Sequence, residues 1–415
     1  MERYHNLSFR DLVRLPVLDI WSAADPGEFG GLGMDRDESA IFYAIGIGDG
    51  SWGAFYDVCC LYPLRTAIFG FSSHLQLVHG RVDEQGVPMS APYLGRDEVL
   101  DSKGLKFQAP AYMGLAAMDE SLLFMPLGVG GSSLYEQCVA REDGLLTDSS
   151  VCALHRLADG RIRVDYRWQQ SQPLQEKMLS EVFDSVILTV PSWLIETNIR
   201  LEGFSNAVLP QPIVDAWKHA HWETSCKVYA PLDKRFLDEH PQLPQILVTD
   251  SFVHDVYAYR YNAHYPNDCI LLSYTWEDDA TKLAAFSDDD LAEKCIAELD
   301  RILMRCANIG EPISPFIDRS NIRIQRWMTD PNSLGCAKLY RAGTYYEAVN
   351  LMKYNRDLSM ASGLYLAGES FSVDAGWTEP CLRTAIDAVI NLCNHTGARF
   401  NGDFTLEHYP HYHVR

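Results

Sequence analysis

The chain is 415 residues long, 47% hydrophobic and 22% charged. That is the balance of a globular protein with room for two or three core-forming units. It carries 35 basic against 56 acidic residues, a net charge of −21. So acidic a surface repels phosphate backbones and anionic lipid, which excludes nucleic acid and membrane surfaces as expected partners.

The opening stretch, MERYHNLSFRDLVRL, lacks the basic and apolar regions of a signal peptide. No run reaches the ~18 apolar residues that a bilayer span requires. The 11 cysteines are scattered, with no CxxC pair and one adjacent pair, Cys59-Cys60. Cys226 and Cys269 sit in apolar, strand-like runs. The expectation is reduced core thiols in a cytoplasmic protein.

Residues 1–115 mix short apolar runs with Gly and Pro. Residues 116–195 read as β-rich. SLLFMPLG runs into Gly128, Gly130 and Gly131, and VCALHRL and RIRVDYRW flank Ala158-Asp159-Gly160 as a hairpin. SVILTVP (185–191) is a continuous apolar run of the kind buried on both faces of a sheet, stopped by Pro191. Residues 196–320 alternate as strands: KVYAPL, QILVTD, VHDVYAYRY and ILLSYTW. A helix follows, capped by Ser287 with three aspartates behind it and an apolar stripe from Leu291 to Cys306, closed by Asn308 and Gly310. Residues 321–415 are similar in pattern to the block at 116–195. A short buried strand, Gly363–Glu369, leads through Gly376-Trp377 into a helix from about Glu379 to Leu392. This pattern predicts one unit split in sequence with a second inserted between its parts.

The usual catalytic signatures are missing: no GxSxG, HExxH, P-loop or EF-hand pattern occurs. Gly48-Asp-Gly50-Ser-Trp-Gly53 matches GxGxxG. It has bulky residues at the turn and no acid about 20 positions on, so it reads as a glycine-rich loop rather than a dinucleotide fingerprint. His408, His411 and His413 read as a polar tail rather than a metal site. Lys227 lies inside the apolar strand TSCKVY, where a lysine is either a snorkelling side chain or a desolvated amine near a reacting centre. The helix behind Gly376-Trp377 offers first-turn amides to a group that gains negative charge. Tyr257, Tyr259 and Tyr261 alternate onto one strand face, either as sheet packing or as the wall of a pocket for an aromatic amino acid.

Several segments together resemble the flavin-containing amine oxidases, in the branch of L-amino-acid oxidases and tryptophan 2-monooxygenases. LYLAGESFSVDAGWTEPCLRTAIDAVI (364–390) is similar to the family's C-terminal flavin signature. AIGIGDGSWGAFYD (44–57), SVILTVPSWLI (185–195), SYTWEDDATKL (273–283) and TDPNSLGCAKLYRAG (329–343) carry the rest of the likeness, from about residue 25 to 395. The resemblance implies an α+β or α/β fold: an incomplete FAD-binding, glutathione-reductase-like domain interleaved with a mixed-sheet substrate domain. Residues 1–115 and 196–320 would form the substrate domain, and 116–195 and 321–415 the FAD domain and tail.

The cofactor implied is FAD. Gly368 and Glu369 match the ribityl and phosphate side, and Gly376, Trp377 and Thr378 the loop at the isoalloxazine. Val151 matches the position at adenine. Lys227 matches the lysine that holds a water near flavin N5, and Trp377 would wall the substrate cavity; these two are the implied catalytic residues. No metal is implied. The activity implied is oxidation of an L-amino acid with O2 as acceptor, giving either a 2-oxo acid, ammonia and peroxide or an amide. Pro380 departs from the family's usual glycine.

The family's N-terminal GxGxxG unit has no counterpart here. The chain is then a fragment, a subunit completed by a second chain in an oligomer, or a flavin-free relative acting as a binding or regulatory subunit. A polyamine or monoamine oxidase is the other enzymatic rival, and the segments at 273–283 and 329–343 speak against it.

Overall fold

A computed structural model describes residues 4–17, 30–45, 57–62, 100–101, 104–105, 146, 148–171, 174–244, 246–261, 265–305, 309–372, 376 and 378–398. The glycine motif at 48–53, the run 121–128, Trp377 and the histidine tail lie outside the described residues. The chain divides into two compact units: residues 1–61, 151–165 and 180–415 form one, and 62–150 with 166–179 the other.

The hairpin expected at 158–160 is present between β1 (Ser149–Arg156) and β2 (Ile162–Ser171). Gly160 sits at φ +90°, a conformation that suits glycine in a turn. Strand β3 (Leu174–Phe183) follows, then β4 (Val186–Leu188), α3 (Ser192–Asn198) and β5 (Arg200–Glu202). Strand β5 pairs with β1 in parallel. His155 locks that pairing, with Nε2 2.7 Å from Asp165 and Nδ1 2.9 Å from Glu202. In the second unit, Arg167 and Glu176 approach within 3.4 Å.

The largest sheet is antiparallel, in the order β8 (Ile246–Val248), β9 (Asp255–Tyr259), β10 (Asp268–Trp276), β7 (Ser225–Leu232) and β11 (Arg323–Arg326). Alternation along β7 sorts its side chains. Cys226, Val228, Ala230 and Leu232 are fully buried on one face, and Lys227 and Tyr229 point to the other. Helix α7 (Asp288–Arg305) covers the apolar face with Leu291, Cys295, Ile296, Leu299, Ile302 and Leu303. Its start is capped as the sequence predicts, the Asp290 amide donating to Ser287 Oγ at 3.2 Å. At ~1.5–3 kcal/mol for each fully buried aliphatic side chain, this contact is the main stabiliser of the unit.

Two smaller sheets complete the frame. Strand β6 (His221–Glu223) pairs antiparallel with β12 (Ala337–Leu339), between α4 (Gln211–Lys218) and α8 (Glu347–Asp357) in sequence. Strand β4 pairs in parallel with β13 (Leu364–Leu366). The final helix, α10 (Thr378–Thr396), lays Ala385, Ala388 and Leu392 against Tyr365 and Ala367. Asn355 of α8 stands in for a further strand beside β13: its Oδ1 accepts from the Leu366 amide and its Nδ2 donates to the Leu366 carbonyl, both at 2.8 Å. Strand β4 is shorter than the apolar run predicts, because the chain turns into α3 directly after Pro191.

Helix α6 (Glu277–Leu283) is pinned to the large sheet through His254, whose Nε2 lies 2.8 Å from Asp279. The His254 hydrogen bond and Lys282 hold Asp279 down to about 2 against an ordinary 3.8. A depressed carboxylate stabilises the fold fully above its unfolded value and loses that contribution as pH falls through its folded value. The urea midpoint should therefore drop between about pH 4 and pH 2. Asp279→Asn should lower the midpoint at pH 6 and flatten that drop; an unchanged acid slope would remove Asp279 from the account.

Candidate functional site

The face of the large sheet opposite α7 is built from aromatic residues around one amine. Lys227 faces Tyr274 on β10 and Gln325 on β11 across the ladder. Its Nζ lies 4.4 Å from the centre of the Tyr274 ring, within the range of a cation–π contact. Tyr274 stacks on Trp276 at 5.1 Å and meets Tyr257 edge-on at 6.0 Å. Tyr257 in turn meets Tyr259 at 6.4 Å.

Simple alternation from Leu272 would send Tyr274 and Trp276 into the α7 core. A register shift between Leu271 and Ser273 places them with Lys227 instead. The tyrosine stripe is shorter than the sequence suggests. Tyr257 and Tyr259 lie in β9, whereas Tyr261 lies beyond the strand end and packs on Tyr265.

Strand β12 adjoins this face. Trp276 packs with Ala337, Tyr274 and Cys336. Burial pushes the Cys336 thiol up to about 12; Lys227 acts against that shift, and Glu369 and Glu223 act with it. One thiol therefore feels both the lysine of β7 and the acid of the segment 364–390.

Gly368 and Glu369 follow β13 directly. Gly368 adopts φ +99°, and a Cβ there would lie 3.3 Å from the Thr189 carbonyl oxygen, so the position favours glycine. Glu369 is pushed up by burial, opposed by the Gly376 and Lys338 amides and by the Lys338 charge. Its Oε1 accepts from the Gly376 amide at 2.6 Å and from the Lys338 amide at 3.1 Å. Gly376 is exposed at φ +81°, and Thr378, two residues on, opens α10. The first-turn amides of this 19-residue helix have no internal partners. The structure thus gathers Lys227, Gly368, Glu369, Gly376 and the start of α10 around β12. Val151 lies in a different sheet, exposed on β1.

Sequence reasoning missed Lys338. It is fully buried on β12, with Nζ donating to Tyr340 Oη at 2.6 Å and to the Ser372 carbonyl. The signal was available: GCAKLY places a lysine in an apolar run just as TSCKVY does.

A carboxyl pair on β6 and α6 was missed as well. Glu223 is fully buried. Burial and the facing Glu277 carboxylate raise it far above its ordinary value, which favours the protonated form. Burial would also raise Glu277, but His221, Glu223 and the Thr224 amide outweigh it and lower this carboxyl. Arg341 donates to His221 Nδ1 at 3.1 Å. That fixes the proton of a neutral ring on Nε2, 3.3 Å from Glu277 Oε1. His221, Glu223 and Glu277 lie close enough to share a cation, yet in this tautomer the ring presents a proton to the carboxylates.

The chain is similar in sequence to known proteins. Tryptophan 2-monooxygenase of Pantoea agglomerans pv. gypsophilae is 29% identical over 396 residues, covering 93% of this chain and 60% of that protein. The enzyme of the same name from Agrobacterium vitis is 28% identical over 242 residues, covering 55% and 30%. An L-amino-acid oxidase of Siganus canaliculatus is 22% identical over 354 residues, covering 79% and 62%. The chain thus spans less than two thirds of each of these relatives. The profile of flavin containing amine oxidoreductases matches residues 89–392, a stretch that holds Lys227, β12 and the segment from β13 into α10, and the chain belongs to that family.

Proposed function

We propose that the chain carries the substrate face and part of the FAD site of an L-amino-acid-oxidising flavoenzyme. The observation that supports this best is the Lys227 amine 4.4 Å from the centre of the Tyr274 ring, on a face where Tyr274 and Trp276 pack with Cys336, two residues before Lys338, whose amide donates to Glu369. It favours an amine on an aromatic face near the loop that precedes α10. The donor set suits a flavin. First-turn amides of a long helix favour a carbonyl that gains charge, and a lysine over tyrosine rings supplies a polar group on an otherwise apolar wall.

Bound flavin would supply the hydride acceptor and the route to dioxygen. The chain's own residues would do the rest. Tyr257, Tyr274 and Trp276 would hold the amino acid's side chain and exclude water. Lys227 would hold a water and supply a proton during reoxidation. Trp377 is proposed as the cavity wall, Thr378 as the amide at the flavin C2 carbonyl, Gly368 and Glu369 as the ribityl and phosphate side, and Val151 as the adenine contact.

Two outcomes balance. Amino acid, O2 and water give 2-oxo acid, ammonia and H2O2; amino acid and O2 give amide, CO2 and water. Relatives bearing both enzyme names match the chain.

The FAD-binding sheet is proposed to continue beyond this chain's described strands, in a unit that binds the pyrophosphate. Two-stranded parallel sheets are not stable alone, and both faces of parallel strands are normally covered. Yet Ile187 in the centre of β4 is 37% exposed. Leu382, Ile386 and Val389 form an exposed stripe along α10 at spacings of four and three. A βαβ unit, in a second chain or a longer one, would cover them.

The first test is the visible spectrum of the chain with added FAD, alone and with a GxGxxG-bearing βαβ unit supplied in trans. Perturbed flavin bands that appear or strengthen with the added unit are expected. No band in either sample would favour the flavin-free, regulatory reading.

In the flavin-loaded protein, Lys227→Met should slow reoxidation by O2 by ~10²-fold, the scale of a lost proton-transfer group, and leave flavin reduction by substrate nearly unchanged. Stopped-flow absorbance separates the two half-reactions, and an unchanged oxidative half-reaction would remove Lys227 from that role.

A further inference from the structure

Lysine is seldom fully buried, because removing an ammonium from water costs several kcal/mol unless acceptors and a counter-charge replace the solvent. Lys338 is fully buried, with acceptors supplied by one short stretch of chain and the Glu369 carboxyl near enough to feel its charge. Its Nζ donates to Tyr340 Oη at 2.6 Å and to the Ser372 carbonyl, and lies 4.1 Å from the centre of the Tyr340 ring. Tyr340 Oη donates to the same Ser372 carbonyl at 3.0 Å. The Lys338 backbone amide donates to Glu369 Oε1, which also receives the Gly376 amide. Glu369, Ser372 and Gly376 are therefore each held, and two of these three ties run to Lys338. Beyond Gly376 the chain enters α10.

We propose that Lys338 is a positioning residue: its buried ammonium, with Glu369, ties Glu369, Ser372 and Gly376 to β12 and so sets the point from which α10 presents its first-turn amides. The consequence for cofactor binding rests on the flavin reading of the site. The latch itself is a property of the chain without cofactor, so the two fail separately.

Among the described residues, Cys336 on the approach to β12 and Cys381 on α10 both feel Glu369, Tyr340 faces the ammonium, and Lys227 and Glu223 act on Cys336. Truncating Lys338 leaves a half-buried Glu369 with amide donors and without the Lys338 charge, which favours its protonated form.

The test uses the chain without flavin, as wild type, Lys338→Met, Glu369→Gln and the double variant, unfolded by urea from pH 5 to pH 8. Each single variant is expected to unfold at lower urea than wild type, and the double variant at higher urea than the sum of the two losses predicts, since it buries no unpaired charge. A packing role alone would not produce the second expectation. In Lys338→Met, Glu369 binds a proton more tightly folded than unfolded, so its deficit shrinks as pH falls from 8 to 5 and grows as pH rises. Adding Glu369→Gln removes that pH dependence.

Additive losses with a pH-independent deficit overturn the proposal. If Lys338→Met alone does not accumulate as folded protein, recovery on adding Glu369→Gln is expected, and no recovery overturns it. With flavin, in the chain alone or completed by the added βαβ unit, Lys338→Met is expected to weaken FAD binding at least tenfold by fluorescence quenching. Unchanged affinity overturns the positioning role. A wild type that takes up no flavin while the coupling is present sinks the functional reading and leaves the latch standing.

Discussion

One carboxylate oxygen governs how the C-terminal segment meets the rest of the chain. Oε1 of Glu369 receives an amide from β12 and an amide from the turn before α10, and the acid reaches them from the end of a parallel strand. A half-buried carboxylate with two amide donors is a directional joint, because moving either donor leaves charge in a medium that solvates it poorly. Strand β13, strand β12 and helix α10 are thereby referenced to one point. The short elements around it have little regular structure of their own: β12 and β13 are three residues each. Their placement depends on side chains, with Glu369 on one side and Asn355 on the other.

The neighbouring turn between β6 and β7 uses the same device under strain. Glu277 adopts φ +46°, which costs a non-glycine residue on the order of 1 kcal/mol. Three hydrogen bonds to Thr224 hold it there: the Thr224 amide to Glu277 Oε1, Thr224 Oγ1 to the Glu277 carbonyl, and the Glu277 amide to the Thr224 carbonyl, all at 3.0 Å. This exchange joins the end of β10 to the start of β7. It fixes Ser225 against Trp276 in the ladder, and so the register that brings Lys227 opposite Tyr274. Behind it, burial and the Glu277 charge push Glu223 toward its neutral form, which eases the repulsion between two facing carboxyl groups.

Local signals in the sequence were reliable where one residue type decides one conformation. Gly160 marks the hairpin and Ser287 the start of α7. The α7 stripe was legible because a helix of 18 residues repeats its pattern five times. The signature segment could be read because its glycines and Glu369 stand beside an apolar strand. Long-range choices were not legible. A strand sequence cannot announce a bulge, so the face taken by Tyr274 and Trp276 depends on pairing with residues some 50 positions away. Lys338 was passed over because its partners, Tyr340 and Ser372, come together only when β12 docks on the loop after Glu369. The carboxyl pair escaped for the same reason: Glu223 and Glu277 belong to different elements.

The large sheet divides its labour by face, and this explains why a lysine persists inside a strand of otherwise apolar residues. Core packing against α7 needs only every second position of β7, and Cys226, Val228, Ala230 and Leu232 supply it. The intervening positions are free of that demand. An amine at Lys227 therefore costs the α7 core nothing, while the tyrosine rings offset its partial burial through cation–π contact. The bulge in β10 then adds two aromatic residues to the lysine's face without removing an aliphatic one from the other, since Leu272, at the shift, remains fully buried. Stability and chemistry thus occupy alternate residues of the same strands, and the register held by Thr224 and Glu277 keeps the two sets apart.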